Sequence, residues 1–376
     1  MLMTVVTFIV WRSKSRIFVD ILCMEQHNPK LKAGTSHLTH RYGTSEGELF
    51  KEDPAEGLLN IGGILKHSES LHVFWDHTWI SRLWCVFELA AFLKCQEGKE
   101  GNAMPIFIRP VTLGPCSMMI FFACFFTSIG NLNTPFLDSA PLLGMVVLTV
   151  SGMACWIAAI RFLRAHWASL ESTLDQLSSF KLEKTSCFCC TKGHQQDNGA
   201  MMVCDRQVIM HCITHWFDSI EAFEETVKTE ISKAMRQQLG HAFTSYSWLV
   251  LVGLPFHWMN MDQIATRLRC GNVSGAAVVG VINLTWCLFS VPWILRTTVM
   301  ATYLCRRRRS NWISEQLVNL GLYLLITFFA AFILALQLLA TEFPDLVQGS
   351  VFFVAVNLLI FSLATCRCQD WARDAG

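Results

Sequence analysis

Long apolar runs are the feature of this sequence that most restricts its fold. A hydrocarbon core about 30 Å thick is crossed by about 20 helical residues, because each residue rises about 1.5 Å and every backbone amide must be hydrogen-bonded within the segment. Six runs reach or approach this length, at residues 115–132, 141–163, 243–261, 276–295, 317–340 and 347–366. The sequence therefore predicts an α-helical multi-pass membrane protein with about six spans.

The third run is the least regular of the six. Pro255 and His257 interrupt residues 243–261, and a proline inside a helix removes one backbone hydrogen bond. A kinked or re-entrant helix is therefore an alternative to a full crossing in this segment.

Lysine and arginine are unevenly distributed among the loops that connect these runs. They are concentrated in the 164–240 loop, the 296–316 loop and the 367–376 tail, whereas the opposite side has only Arg267 and Arg269. Because bases near spans are retained in the cytosol, both termini and the 164–240 loop are predicted to be cytosolic. The predicted outer loops are 131–140, 262–275 and 341–346.

Composition limits the classes of function. The chain is 52% hydrophobic and 16% charged, and its net charge of +1 gives no sign of a nucleic-acid partner. No charged residue lies well inside a predicted span, which counts against ion-coupled transport. For the polar residues that do lie there, Asn283, Gln337 and Asn357, hydrogen bonding between helices is the expected role.

Residues 16–110 follow a different pattern from the rest of the chain. After an apolar N-terminal segment, 1–15, short β-rich runs at 16–24, 70–75 and 104–109 alternate with helical runs at 58–67 and 80–94. This alternation is typical of βα units around a parallel sheet. The continuous apolar character of the strands predicts a sheet covered on both faces.

Three motifs in this region resemble those of one known family. Ser81-Arg82-Leu83-Trp84-Cys85-Val86-Phe87-Glu88-Leu89 resembles the Ser-x-x-Trp-Cys-x-x-Glu-Leu helix of TIR (Toll/interleukin-1 receptor) domains. Upstream, the segments 18–26 and 62–68 resemble the second strand with its loop, and the following helix with its serine. The resemblance is to plant-like and protist forms, and to multi-pass TIR-like membrane proteins of dinoflagellates and other protists.

The resemblance implies a partial, flavodoxin-like α/β module, cytosolic and N-terminal to the spans. It covers about a quarter of the chain. The first strand and first helix of the family have no counterpart before Phe18, and residues 35–56 read as an inserted polar loop. The expectation is therefore either a truncated gene model or a degenerate domain.

The same resemblance implies a candidate catalytic residue, Glu88. In TIR domains that cleave NAD, a glutamate at this position assists the loss of nicotinamide, and a carboxylate stabilises an oxocarbenium-like transition state. Trp84 and Cys85, four and three residues earlier, would share its helix face and contact the NAD substrate. The alternative is that Glu88 is an ordinary surface glutamate of a non-enzymatic adaptor.

A cluster of cysteine and histidine lies in the predicted cytosolic loop between helical segments at 165–180 and 208–239. Cys187, Cys189, Cys190, His194 and Cys204 are candidate zinc ligands, because thiolates and imidazoles bind Zn²⁺ tetrahedrally and a metal orders a loop with little apolar core. Their spacing is not that of a standard zinc finger. Palmitoylation near the membrane and plain reduced thiols are the alternatives.

Three functions remain open on this basis. The leading hypothesis is a membrane-anchored TIR-like signalling or protein-interaction protein that contacts the lipid bilayer and self-associates or recruits partners through its module. The alternatives are an NAD glycohydrolase that uses Glu88, and a channel or passive transporter formed by the spans.

Overall fold

A computed structural model describes residues 65–97, 105–129, 141–195, 201 and 204–374. The predicted strand at 16–24, most of the predicted helix at 58–67 and the inserted loop at 35–56 lie outside these residues. The helices and strands, in chain order, are β1 Leu71–Trp75, α1 Leu83–Gln96, β2 Ile106–Pro110, α2 Leu113–Ile129, α3 Pro141–Ser178, α4 Phe188–Thr191, α5 Asp205–Phe217, α6 Ile220–Thr226, α7 Ser232–His241, α8 Tyr246–Arg269, α9 Val273–Thr285, α10 Val291–Leu304, α11 Trp312–Thr341 and α12 Leu346–Asp374.

The chain divides into two compact units. One comprises Met1–Glu69 and Glu88–Asn102, and the other Ser70–Phe87 and Ala103–Gly376. In the described part of the first unit, the Gln96 side-chain amide donates a hydrogen bond to the carbonyl oxygen of Ser68, 3.1 Å away. The other features of the fold below belong to the second unit.

Four helical segments are long and apolar enough to cross a membrane. They are Leu143–Ser178, Val273–Leu304, Trp312–Thr341 and Leu346–Leu363. Large apolar side chains on them, such as Phe328 and Leu359, are exposed, and exposed apolar surface on this scale marks a membrane-contacting face. These helices indicate an integral membrane protein of mainly helical fold.

The other two predicted spans are also helical. α2 has 17 residues in the described part of the chain, which makes it shorter than the four. α8 is one continuous helix of 24 residues that contains Pro255, and it carries Arg267 and Arg269 in its last turn. The first part of the predicted outer connection at 262–275 is therefore helical, since α8 continues to Arg269.

Polar side chains join the helices within the bilayer region. The Trp286 indole donates to Gln337 Oε1 at 2.6 Å, and Ser290 Oγ donates to Asn357 Oδ1 at 2.8 Å. Asn283 Nδ2 donates to the carbonyl oxygen of His257 at 3.3 Å. The expected role of these polar residues in hydrogen bonding between helices is confirmed.

The predicted strands at 70–75 and 104–109 are confirmed as β1 and β2. They pair in parallel with Leu71 opposite Ile106, and they form a two-stranded sheet in the described part of the chain. Among the described residues, one face of this sheet is open where two covered faces were expected, because buried and exposed residues alternate and Phe74 and Phe107 are exposed. The outer edge of β2 is covered by Gln238 of α7, whose side chain accepts from Ile108 N and donates to Ile106 O, both at 2.7 Å.

α3 joins the bilayer region to the extramembrane part without a break. Its 38 residues span about 57 Å, which exceeds the hydrocarbon thickness, and the predicted helix at 165–180 is therefore its continuation. At the junction, Arg164 is buried and its guanidinium pairs with Glu315 at 2.7 Å and donates to Asn319 Oδ1 at 2.7 Å.

One continuous amphipathic helix was predicted for residues 208–239, but the structure has several helices there, separated by a break after α5. α5 ends at Phe217 and is followed by its C-cap Asp218, which has a left-handed backbone with φ 65°. Ser219 then caps α6, its hydroxyl accepting from Ala222 N at 3.1 Å. A π-helical turn, Val227–Ile231, follows and leads into α7. The break folds α6 back so that Phe223 is buried against Phe180 and Phe217.

Candidate metal centre

Four potential metal ligands converge in the extramembrane part of the second unit. One ligand atom from each of Cys189, Cys190, His194 and Cys204 lies within 4.8 Å of all the others. These are four of the five residues that the sequence indicates as a zinc set. The fifth, Cys187, belongs to a neighbouring group with Cys189 and Asp205.

The distances between the sulfurs match a tetrahedral zinc site. A Zn–S bond of about 2.3 Å places tetrahedral thiolates about 3.8 Å apart. Cys190 Sγ lies 3.8 Å from Cys204 Sγ and 4.0 Å from Cys189 Sγ. Cys187 Sγ is only 3.1 Å from Cys189 Sγ, which is too close for two ligands on the edge of one tetrahedron.

A single helical turn positions the first two ligands. α4 contains both Cys189 and Cys190, and it begins directly after Cys187, whose carbonyl oxygen accepts from Thr191 N at 3.1 Å. Adjacent residues on a helix point about 100° apart. Cys189 is buried and Cys190 is half-buried, so a metal bound by both thiols would lie at the edge of this short turn, between its two faces.

A left-handed turn brings the histidine back to the cysteines. Gly193 and His194 have φ values of 61° and 59°, and His194 N donates to the carbonyl oxygen of Cys189 at 2.8 Å. Glycine adopts this conformation freely, whereas a side chain at His194 makes it costly. His194 Nε2 is buried and has no hydrogen-bond partner, an arrangement that a bound cation would satisfy.

The fourth ligand, Cys204, lies at the start of α5 rather than on α4. Cys204 is the residue that precedes α5 and serves as its N-cap. Backbone N–H groups at a helix start carry partial positive charge, which favours a thiolate there. The Asp205 backbone hydrogen-bonds the Cys189 thiol, so α5 also supports the first ligand.

The surroundings of Cys189 and Cys190 shift the pKa values of their thiols in opposite directions. Burial raises the pKa of Cys189 to about 12, with a further contribution from its hydrogen bond with Cys187. A hydrogen bond from Arg206 is the main cause of the lowered pKa of Cys190. Zinc binding requires thiolates, and the charge of the metal itself drives deprotonation of a buried thiol. The guanidinium of Arg206 would offset part of the negative charge of a three-thiolate site.

Arg206 and Asp205 adjoin the site and are not among the residues predicted for it. The Arg206 guanidinium donates to the carbonyl oxygens of Glu183, at 2.8 Å, and Thr185, and it thereby holds the chain that enters the cysteine cluster. The sequence offers one signal for these residues, namely an acidic-basic pair directly after Cys204. His211, Cys212 and His215, about two to three turns further along α5, lie outside the group of four.

The residues of the proposed NAD site lie on α1. Trp84, Cys85 and Glu88 are all half-buried. The Trp84 indole Nε1 donates to Asp205 Oδ2 at 3.2 Å, and its ring contacts Phe87 edge-on. The polar atom of Trp84 is therefore engaged with the residue next to Cys204.

Comparison of the chain with protein-family models, with curated proteins and with solved structures gives no match in any of the three.

Proposed function

We propose that this chain is a membrane-anchored signalling or protein-interaction protein whose extramembrane module is stabilised by one structural Zn²⁺. The observation that carries the proposal is the convergence of Cys189, Cys190, His194 and Cys204 within 4.8 Å. Three thiolates and one imidazole complete a tetrahedral shell, and a closed shell of this kind is typical of structural rather than catalytic zinc.

The position of the four ligands supports a structural role. They join a short turn, α4, to the start of α5, two elements with few large apolar residues between them. A metal that binds only the folded arrangement stabilises it by its binding free energy. Zinc would therefore fix α4 relative to the start of α5.

Backbone and side-chain contacts connect this loop to the start of α1. Ser186 N donates to Ser81 O at 2.6 Å, and Leu83 N donates to Ser186 O at 3.0 Å. The Trp84–Asp205 hydrogen bond is a third connection. The metal centre thus supports the segment that resembles the TIR helix, and loss of zinc is expected to loosen its N-terminal turn.

An exposed aromatic surface on the sheet supports the interaction role. Phe74 is 70% exposed on β1, and Phe107 is 42% exposed on β2 and stacks on His72. Exposed aromatic residues are enriched at protein interfaces. We assign this surface to self-association of the module, with the spans holding the copies in one bilayer plane.

Metal content of the purified full-length protein tests the zinc centre. Elemental analysis is expected to give about one zinc per chain, with loss of the metal in Cys189→Ser, Cys190→Ser, Cys204→Ser and His194→Ala. His194→Cys retains a ligand and should restore binding. The matched control is Cys187→Ser, which removes a neighbouring thiol outside the group of four. Equal metal loss in Cys187→Ser, or a metal-free parent protein, would contradict the proposed centre.

Self-association is tested separately in membranes. Energy transfer between fluorescently tagged copies should fall in Phe74→Ser and persist in Val273→Ser, which removes an equally exposed apolar side chain at the start of α9. Unchanged transfer in Phe74→Ser would exclude the sheet surface as the interface.

A further inference from the structure

The membrane helices line a partly open cavity of about 280 Å³. Residues of α2, α3, α8, α10 and α11, together with Trp286 of the π-helical turn between α9 and α10, line it, and none of its 18 lining residues is charged. Its wall is mostly hydrocarbon and aromatic, with Phe256, Trp286 and Ile326 among the larger side chains. The cavity is therefore suited to an uncharged, largely apolar occupant.

An occupant is favoured over an empty space. Atoms that line a void lose the dispersion contacts they would make in a packed interior, and the loss grows with cavity volume. Water is a poor filler because it needs two to four polar partners. Membrane hydrocarbon surrounds these helices and can supply the missing contacts.

The cavity has access to the bilayer through the surface of the helices. Met145 and Thr149 of α3 and Thr327 of α11 line it, and the same residues are exposed. A ligand that is dissolved in the membrane can therefore enter from the side, without passing through water.

Two polar groups on α11 distinguish this cavity from a simple space for a lipid tail. Thr327 Oγ1 donates to the carbonyl oxygen of Tyr323 at 2.9 Å, which leaves its oxygen able to accept a hydrogen bond. The Tyr323 hydroxyl has no hydrogen-bond partner among the residues that the structure describes. In hydrocarbon an unpaired hydroxyl is unfavourable, and a ligand hydroxyl would pair with it.

We propose that this cavity binds a neutral membrane lipid that carries a hydroxyl group, such as a sterol or a diacylglycerol. The hydrocarbon of the lipid fills the space between the helices, and its hydroxyl hydrogen-bonds to Tyr323 and Thr327. This site is independent of the metal centre, so failure of either proposal leaves the other standing.

Photolabelling of the full-length protein in nanodiscs tests the site. The probes are a diazirine sterol, a diazirine diacylglycerol and a phosphatidylcholine with the diazirine in its acyl chain. At least one neutral probe should modify residues that line the cavity. Ala330→Phe, which fills the cavity, should reduce this labelling at least about fivefold, whereas Ala331→Phe, on the exposed face of the same helix, should not.

A separate variant, Tyr323→Phe, tests the proposed hydrogen bond between the lipid hydroxyl and Tyr323. Tyr323→Phe keeps the volume of the ring and should weaken binding of the neutral probe about threefold to tenfold, as expected for one lost hydrogen bond. This variant also keeps the test valid if Ala330→Phe does not fold. The proposal is overturned if neither neutral probe labels the cavity, if Tyr323→Phe binds the neutral probe as the parent does, or if the phosphatidylcholine probe labels the cavity equally well.

Discussion

The indole Nε1 of Trp84 donates a hydrogen bond to Oδ2 of Asp205, 3.2 Å away. The two residues are more than a hundred positions apart in sequence, and Asp205 directly follows the candidate zinc ligand Cys204. This contact joins the start of α1 to the start of α5. It makes the position of Trp84 dependent on the order of the cysteine loop.

The first prediction concerns this contact. Trp84→Phe should lower the free energy of unfolding by about 0.5–1.5 kcal/mol, because one hydrogen bond is lost while an aromatic ring remains at this half-buried position. Asp205→Ala should have a similar effect, and the double variant should cost less than the sum of the two. Thermal unfolding of the zinc-loaded protein measures all three. Strict additivity would show that the two side chains do not interact.

The edge of β2 provides a second prediction. Gln238→Ala removes both hydrogen bonds to the strand and leaves the N–H of Ile108 without its partner, which should cost about 1–3 kcal/mol. Hydrogen exchange at Ile108 should accelerate accordingly. Gln237→Ala, one residue earlier and exposed, is the matched control and should leave this exchange rate unchanged. Equal rates in the two variants would refute the role of Gln238.

A third prediction follows from Arg164, which is 2% exposed and fixes the loop between α10 and α11 through Cys305 O at 2.7 Å and through Glu315. Arg164→Met should destabilise the protein by about 3–5 kcal/mol, since it leaves the Glu315 carboxylate without its paired guanidinium and with only the Arg309 backbone N–H as a donor among the described residues.

Adding Glu315→Met should recover most of that loss, because the uncompensated carboxylate is also removed. Thermal unfolding in detergent compares the single and double variants. A double variant no more stable than Arg164→Met would show that the loss comes from packing of the arginine stem.

The buried Glu224 gives a pH-dependent prediction. It accepts from Lys181 Nζ at 2.7 Å and from Leu182 N at 2.9 Å, and the hydrogen bond with Glu224 is the main cause of the raised pKa of Lys181. A raised folded-state pKa means that the contribution of Lys181 to stability is fully present below its unfolded pKa of about 10.5 and is lost as pH rises through the folded value.

The stability difference between the parent protein and Lys181→Met should therefore be constant from about pH 7 to pH 10 and shrink at higher pH. Unfolding by denaturant across this range measures it. Lys184→Met, an exposed lysine three residues along, serves as the control and should show no comparable difference. A difference that grows above pH 10 would have the wrong sign.

Membrane orientation is tested by labelling single cysteines in sealed vesicles. Cys270 is exposed after α8 on the predicted outer side, and Ser179→Cys introduces an exposed thiol on the predicted cytosolic side. An impermeant maleimide added outside sealed vesicles whose outer face is the predicted non-cytosolic one should reach Cys270 and spare the thiol at position 179. Labelling of both from one side would overturn the orientation based on the distribution of lysine and arginine.

The sequence by itself determined the membrane helices and the two parallel strands. Both depend on local patterns, namely apolar length for a helix that crosses a bilayer and β-rich runs for a strand, and α11 and β1 lie within a few residues of the predicted positions. The cysteine cluster was also visible as a candidate zinc set. The sequence could not show which of the five candidate ligands bind the same metal ion.

Only the tertiary structure decided that Cys204 joins Cys189, Cys190 and His194 while Cys187 does not. That selection depends on the left-handed turn at Gly193 and His194 and on the position of α5, which is set by long-range contacts such as Arg206 with Thr185. The cavity behind Tyr323 arises likewise from how five helical segments pack. Sequence patterns report on neighbours along one helix or strand, whereas a binding site is formed by residues that distant segments bring together.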